Sequence, residues 1–158
     1  MGRWPYSDRR TVEECKAITT KYLNKHHYFD DVDGIIRGSM SWIRGEKETG
    51  NIIFKISIVP GDEYIRFVKH PTNEREKVDY KIELNSSPCF FGGKRWWFIC
   101  SCQRRVGALY FRYGDKYFGC RHCKNLTYES CKENHRFDRL FRELGMTPKK
   151  GKLYVKTI

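Results

Sequence analysis

Two close cysteine pairs constrain this chain more than any other feature. Cys100 and Cys102 form the first, in C-S-C, and Cys120 and Cys123 form the second, in C-R-H-C. Seventeen residues lie between the pairs. A spacer of that length suits two knuckles meeting at one tetrahedral zinc ion. Thiolates are soft, strong zinc ligands, and four of them close the coordination shell. A closed shell leaves no position for water, so such an ion holds structure and performs no chemistry. The first pair is one residue shorter than the usual knuckle. Cys131, eight residues after Cys123, is therefore the alternative to Cys102 as fourth ligand. If it is not a ligand, a helical cysteine there is a small core residue. Cys89 and His122 also compete, but His122 lies inside the second pair, where its ring is expected to point away from the metal.

Seven cysteines is an odd number, and the N-terminus, MGRWPYSDRR, lacks the apolar run of a secretory signal. Together these favour a reducing, cytoplasmic setting and metal ligation over a disulfide framework. No apolar run approaches bilayer length, so no membrane partner is expected. Tyr6 stands where N-myristoylation requires Ser or Thr.

Charge is unevenly placed in the 158 residues. The net charge is +12, yet residues 1–93 carry 15 Lys and Arg against 14 Asp and Glu. Residues 94–158 carry 16 against 5, a surplus of +11, which four thiolates around a dication would lower to +9. Solubility alone does not require one half to be neutral. A segregated cationic segment attracts polyanions, of which nucleic acid is the commonest in the cytoplasm.

The periodicities predict an α+β fold. Asp8 to Tyr22 reads as an N-terminal helix: Thr11 and Glu14 have capping-box spacing, and Val12, Cys15, Ile18 and Tyr22 form one apolar stripe. From Ile35 the period becomes two. Strands are expected over 35–43, 52–59, 64–69 and 77–84, with a polar turn at 45–51 and a tight turn at Pro60-Gly61-Asp62. Such alternation marks an antiparallel sheet with one wet face. Asn85 to Pro88 is expected to turn the chain, and Lys94 to Ile99 to lead into the first cysteine pair. Val106 to Tyr113 and Lys116 to Phe118 read as a hairpin about Gly114-Asp115. A C-terminal helix is expected from Thr127 to about Leu144, with Phe137, Leu140, Phe141 and Leu144 as its stripe. The resulting division is a sheet body at 1–91, a C4 zinc ribbon at 92–128, and a basic helix and tail at 129–158.

The segment from Gly92 to Tyr128 resembles a family of uncharacterised zinc-ribbon proteins encoded in bacterial genomes and mobile elements. The resemblance rests on F-G-G-K-R-W-W-F-x-C, on the R-R-V-x-x-L-Y run and on C-R-H-C-x-x-L-T-Y. It extends weakly upstream through D-Y-x-I-x-L and G-S-x-S-W. It implies a zinc-stabilised module and names no partner. Relatives usually carry C-P-x-C-G at the first knuckle, where this chain has C-S-C-Q.

The first functional expectation is nucleic-acid binding led by phosphates. Arg104, Arg105, Arg121, Lys124, Lys132, Arg136 and Arg139 lie near the knuckles or on the expected helix. Trp96, Trp97, Tyr110, Phe111, Tyr113 and Tyr117 interleave with them; exposed rings could stack on unpaired bases, and buried ones would build the core. The second expectation is a protein-interaction adaptor or inhibitor docking on a nucleic-acid enzyme of a mobile-element or defence system. The third is a metal-dependent nuclease, through His26, His27, Asp30, Asp31 and Asp33 or through Asn134-His135. No Gly-rich phosphate loop, catalytic triad or deaminase signature accompanies these residues, so no catalytic residue and no small-molecule substrate are expected.

Overall fold

The computed structural model describes residues 9–30, 34–68 and 79–131, and the backbone of 154–156. Its main element is a seven-stranded antiparallel sheet. The strands are β2 (Ile35–Arg44), β3 (Lys47–Val59), β4 (Asp62–Phe67), β5 (Tyr80–Pro88), β6 (Lys94–Ile99), β7 (Arg105–Val106) and β9 (Tyr154–Lys156). Their order across the sheet is β7-β6-β5-β4-β3-β2-β9. A second, two-stranded sheet pairs β1 (Lys16–Thr19) with β8 (Ala108–Phe111). One short helix, α1 (Thr20–Lys25), follows β1.

The alternation of β3 to β6 explains the layering. Ile52, Phe54, Ile56, Ile65, Phe67, Ile82, Leu84, Trp96 and Phe98 are buried on one face. The small sheet and α1 contribute Ile18, Leu23, Leu109 and Phe111 to the same core. The indole N–H of Trp42 on β2 donates to the Ala17 carbonyl on β1 at 3.0 Å, joining the two layers. Gly38 on β2 makes room for that packing. A Cβ there would lie 2.6 Å from atoms of both the Phe54 and Tyr28 rings.

The N-terminal helix expected over Asp8–Tyr22 is not formed by the described residues. Val12–Glu14 make one turn of 3-10 helix, β1 follows, and α1 begins only at Thr20. Thr11 makes no side-chain cap; Thr19 does, accepting from the Tyr22 N–H at 3.1 Å. The reason is competition for backbone bonds. Ile18, Thr19 and Thr20 are β-branched and favour extended structure. Residues 108–111 offer that stretch a complete antiparallel partner. The apolar stripe keeps part of its meaning, since Cys15 and Ile18 are buried.

Two turns also differ from expectation. Only Gly45 and Glu46 turn between β2 and β3, so most of the polar stretch 45–51 is strand. A two-residue hairpin lets pairing continue to the turn whatever the side chains are. Asn85 to Pro88, expected as a turn, extends β5 and pairs with Lys94–Trp97 of β6. The turn lies instead at residues 89–93. The β5–β6 hairpin thus carries the large sheet across the boundary expected near residue 91. Beyond Cys131, the expected C-terminal helix lies outside the described residues.

Gly38→Ala is expected to destabilise the fold by about 1–3 kcal/mol through overpacking. The midpoint of urea unfolding, followed by tryptophan fluorescence, checks this.

Candidate metal centre

Strand β6 delivers Cys100 directly from the core, and the chain then reverses. The Cys100 N–H donates to the Arg104 carbonyl at 3.0 Å, and the Gln103 N–H donates to the Cys100 carbonyl at 2.8 Å. Gln103 has φ 64°, the left-handed conformation that closes this tight turn. Glycine reaches that region freely, whereas other residues enter it at a cost. The short C-S-C pair is accommodated in this way.

The second knuckle folds as a compact loop. The Lys124 N–H donates to the Cys120 carbonyl at 3.1 Å, and the Leu126 N–H donates to the Arg121 carbonyl at 2.9 Å. Leu126 and Phe118 are buried on either side of it. The Phe118 N–H donates to the Tyr80 hydroxyl oxygen at 2.8 Å, which fastens the loop to the start of β5. Burial raises the Tyr80 pKa well above the ordinary tyrosine value, keeping the hydroxyl neutral.

The two knuckles bring four sulfurs together. The Sγ atoms of Cys100, Cys102, Cys120 and Cys123 all lie within 4.8 Å of one another. Cys100 and Cys123 are 3.8 Å apart at sulfur, and Cys102 and Cys120 are 3.7 Å apart. A disulfide would require about 2.05 Å. Ligands about 2.3 Å from a central ion, at tetrahedral angles, stand about 3.8 Å from each other. Those two sulfur pairs therefore have the separation found in a tetrahedral thiolate site, and all four sulfurs lie close enough to share one ion. Cys89 and Cys131 are exposed and stand outside the group, as does His122. Between the alternatives for the fourth position, the geometry selects Cys102.

Backbone donors favour negative charge at this centre. The Cys120 N–H donates to Cys100 Sγ at 3.3 Å, and the Cys123 N–H donates to Cys120 Sγ at 3.4 Å. Burial alone would push the Cys100 thiol up. The N–H groups of Cys102 and Cys120, with the neighbouring thiols of Cys123 and Cys120, outweigh it and bring Cys100 down to about 6. Cys123 moves the other way, pushed up to about 12 first by the Cys102 sulfur, then by burial and the Cys120 and Cys100 sulfurs. A thiolate thus forms readily at Cys100 and is opposed at Cys123. A cation at the centre removes that opposition.

The basic residues expected to bind divide into four groups. Arg104 and Arg105 are exposed at the first knuckle, and the Arg105 guanidinium lies 5.6 Å from the Trp97 ring. Arg121 is half-buried over the Tyr128 ring at 5.1 Å. Lys124 is engaged by Asp115 at 2.9 Å, in a pair largely shielded from water. Lys132, Arg136 and Arg139 lie outside the described residues. Of the aromatics, Trp96 and Phe111 are buried, Trp97 and Tyr110 half-buried, and Tyr113 and Tyr117 exposed. Sequence reasoning missed Lys94 and Arg95, both exposed, with Arg95 lying 4.3 Å over Trp97. It also missed Phe90 and Phe91, which are almost fully exposed. The available signal was Gly92-Gly93, which places both rings in a turn.

His27 and Asp30 are hydrogen-bonded to each other at the surface, and the cysteine group is the cluster among the described residues that could hold a metal ion. Asp31, Asp33 and Asn134-His135 lie outside them. No helix among the described residues is long and apolar enough to cross a membrane. No protein-family model, curated protein or solved structure matches the chain.

Cys102→Ser and Cys120→Ser are each expected to abolish stoichiometric metal binding, whereas Cys89→Ser and Cys131→Ser retain it. Elemental analysis of purified protein, with thiol titration, distinguishes the two classes.

Proposed function

We propose that the four cysteines hold one structural zinc ion, as a ribbon at the edge of the sheet, and that the cationic surface they brace binds nucleic acid. The donor set supports zinc, since four thiolates at tetrahedral separation suit a soft-accepting ion without geometric preference. Iron shares this ligand chemistry, and metal analysis separates the two. In this reading Cys100, Cys102, Cys120 and Cys123 occupy every coordination position. The ion's contribution is folding free energy, with no open position for a reacting group.

One observation carries the nucleic-acid reading. Between Asn85 and Gly114 the chain has five Lys and Arg residues and no Asp or Glu. Within that stretch Lys94, Arg95, Arg104 and Arg105 are all exposed, on β6, β7 and the first knuckle. Strand pairing sets Arg105 opposite Ile99. Arg95 and Arg105 are thus held on strands close to Trp97. Arginine forks match phosphate oxygens, and binding of this kind releases counterions.

A chelator at neutral pH is expected to raise amide exchange first over residues 92–128, while β2 to β4 stay protected. Mass-detected hydrogen exchange reads both regions at once.

Four phosphate contacts imply a salt slope of about −3 on a single strand, so raising salt from about 50 to 200 mM weakens binding roughly 50-fold. Arg104→Ala with Arg105→Ala should reduce the slope by about 1–2. Anisotropy titrations with mixed-sequence oligonucleotides measure it. Absence of nucleic-acid binding, with stoichiometric and salt-tolerant capture of one protein, would establish the adaptor reading instead.

A further inference from the structure

The β5–β6 turn presents two large apolar rings that the core does not use. Phe90 and Phe91 are 98% and 97% exposed. Their ring centroids are 5.2 Å apart and their planes meet at 89°. The turn beneath them is closed on itself. The Cys89 N–H donates to the Gly93 carbonyl at 3.1 Å, and the Gly92 N–H donates to the Cys89 carbonyl at 3.1 Å. Gly92 and Gly93 have φ 86° and 81°, so the backbone there adopts a conformation that other residues rarely reach. The rings are held outward by a bonded turn.

The surroundings of this tip are cationic. A cleft of about 340 Å³ lies between α1 and the root of the turn. Lys21, Asn24, Lys94 and Arg95 line it with Cys89 and Trp96, and no carboxylate does. On the outward face of β6, the guanidinium groups of Arg95 and Arg105 both approach the Trp97 ring. Asn85 of β5 is paired directly across from Trp97, with Ser87 across from Arg95. Glu83, further along β5, is the acidic residue on that face of the strand. From Lys94 to Ile99 the strand runs about 17 Å.

We propose that this tip selects single-stranded nucleic acid: Phe90 and Phe91 stack on unpaired bases while Lys21, Lys94 and Arg95 hold the adjoining phosphates. The proposal rests on the nucleic-acid reading above and names its substrate class. Stacking needs a free base face, which a strand offers and a paired duplex covers. Phenylalanine has no polar group with which to read base edges, so the tip is tolerant of sequence. The charge distribution favours a polymer over a lipid surface. A bilayer would meet the tip alone, whereas Arg95, Trp97 and Arg105 continue the cationic, aromatic surface along β6 and β7, as a chain of phosphates requires.

The test compares the metal-loaded full chain with a Phe90→Ala, Phe91→Ala double variant. Both rings lie in solvent, so melting temperature and metal content should be unchanged. Four probes are titrated: a mixed-sequence single strand, its duplex, an abasic strand of equal length, and phosphatidylserine-containing vesicles. Affinity for the intact strand should fall roughly ten- to hundredfold in the variant, while duplex and abasic strand bind as before. Lys21→Ala with Lys94→Ala should instead weaken all three nucleic acids and flatten their salt dependence. Strand binding unaffected by loss of the rings would overturn the inference, as would equal losses for the intact and abasic strands. If vesicle binding alone depends on the rings, the tip is a membrane contact and the proposal fails. Duplex and strand binding that is equal and ring-independent would leave the phosphate-led reading standing and remove only this one. No binding to any nucleic acid would remove both.

Discussion

Four sulfur atoms crowded within 4.8 Å resist becoming four thiolates, and they acquire a common reason to ionise only around a cation. The opposed tendencies of Cys100, drawn down to about 6, and Cys123, driven up to about 12, express that tension. Local backbone N–H groups favour negative charge on Cys100, and hydrogen bonding to the neighbouring sulfurs, with burial, opposes it on Cys123. A bound dication would turn the cluster into a cross-link between two loops. Each loop on its own has little apolar surface to bury: Phe118, Cys120 and Leu126 are the buried side chains of the second knuckle and its approach. The cross-link therefore stabilises what packing alone would not.

The knuckles are not a separate bead on the chain. Phe118 stacks on Phe67 at 4.9 Å and meets Trp42 and Phe111, so the centre shares the aromatic core of the large sheet. Strand β8, between the cysteine pairs, takes β1 as its partner. The Val12 N–H donates to the Thr127 carbonyl, and the Thr127 N–H donates to the Arg10 carbonyl, both at 2.9 Å. The N-terminal segment thus binds the metal region at two places. Order at the sulfurs is coupled through those bonds to the sheet, which in turn fixes the direction of Arg95 and Arg105.

What could be read from the residues was whatever is periodic or local. The buried faces of β3 and β5 follow from period-two alternation, and the cysteine pairs from their spacing. The failures come from pairing and backbone geometry that no local pattern announces. Val12, Cys15, Ile18 and Tyr22 satisfy helical spacing, yet the β1–β8 pairing joins residues about ninety positions apart and decides otherwise. Asn85 to Pro88 have turn-like composition, but β6 lies alongside and draws them into strand. The choice of Cys102 over Cys131 could not be made from spacing, because the left-handed Gln103 shortens the turn in a way no propensity announces. Lys124 was legible as basic, but its pairing with Asp115 was not.

The exposed phenylalanines bear on why the hairpin ends as it does. Burying one such ring is worth about 1.5–3 kcal/mol, so the two together forgo about 3–6 kcal/mol by remaining in water. A domain's net stability is only about 5–15 kcal/mol. Nothing in the turn requires apolar side chains there, because the two backbone hydrogen bonds and the two glycines close it without them. The adjacent cations compound the point. Lys94 and Arg95 keep the tip soluble, and no acidic residue between Asn85 and Gly114 offsets their charge. An apolar tip with uncompensated positive charge at its root is poorly matched to the folded chain alone. In the reading proposed above, its match is an anionic polymer whose repeating unit has one flat apolar face and one phosphate.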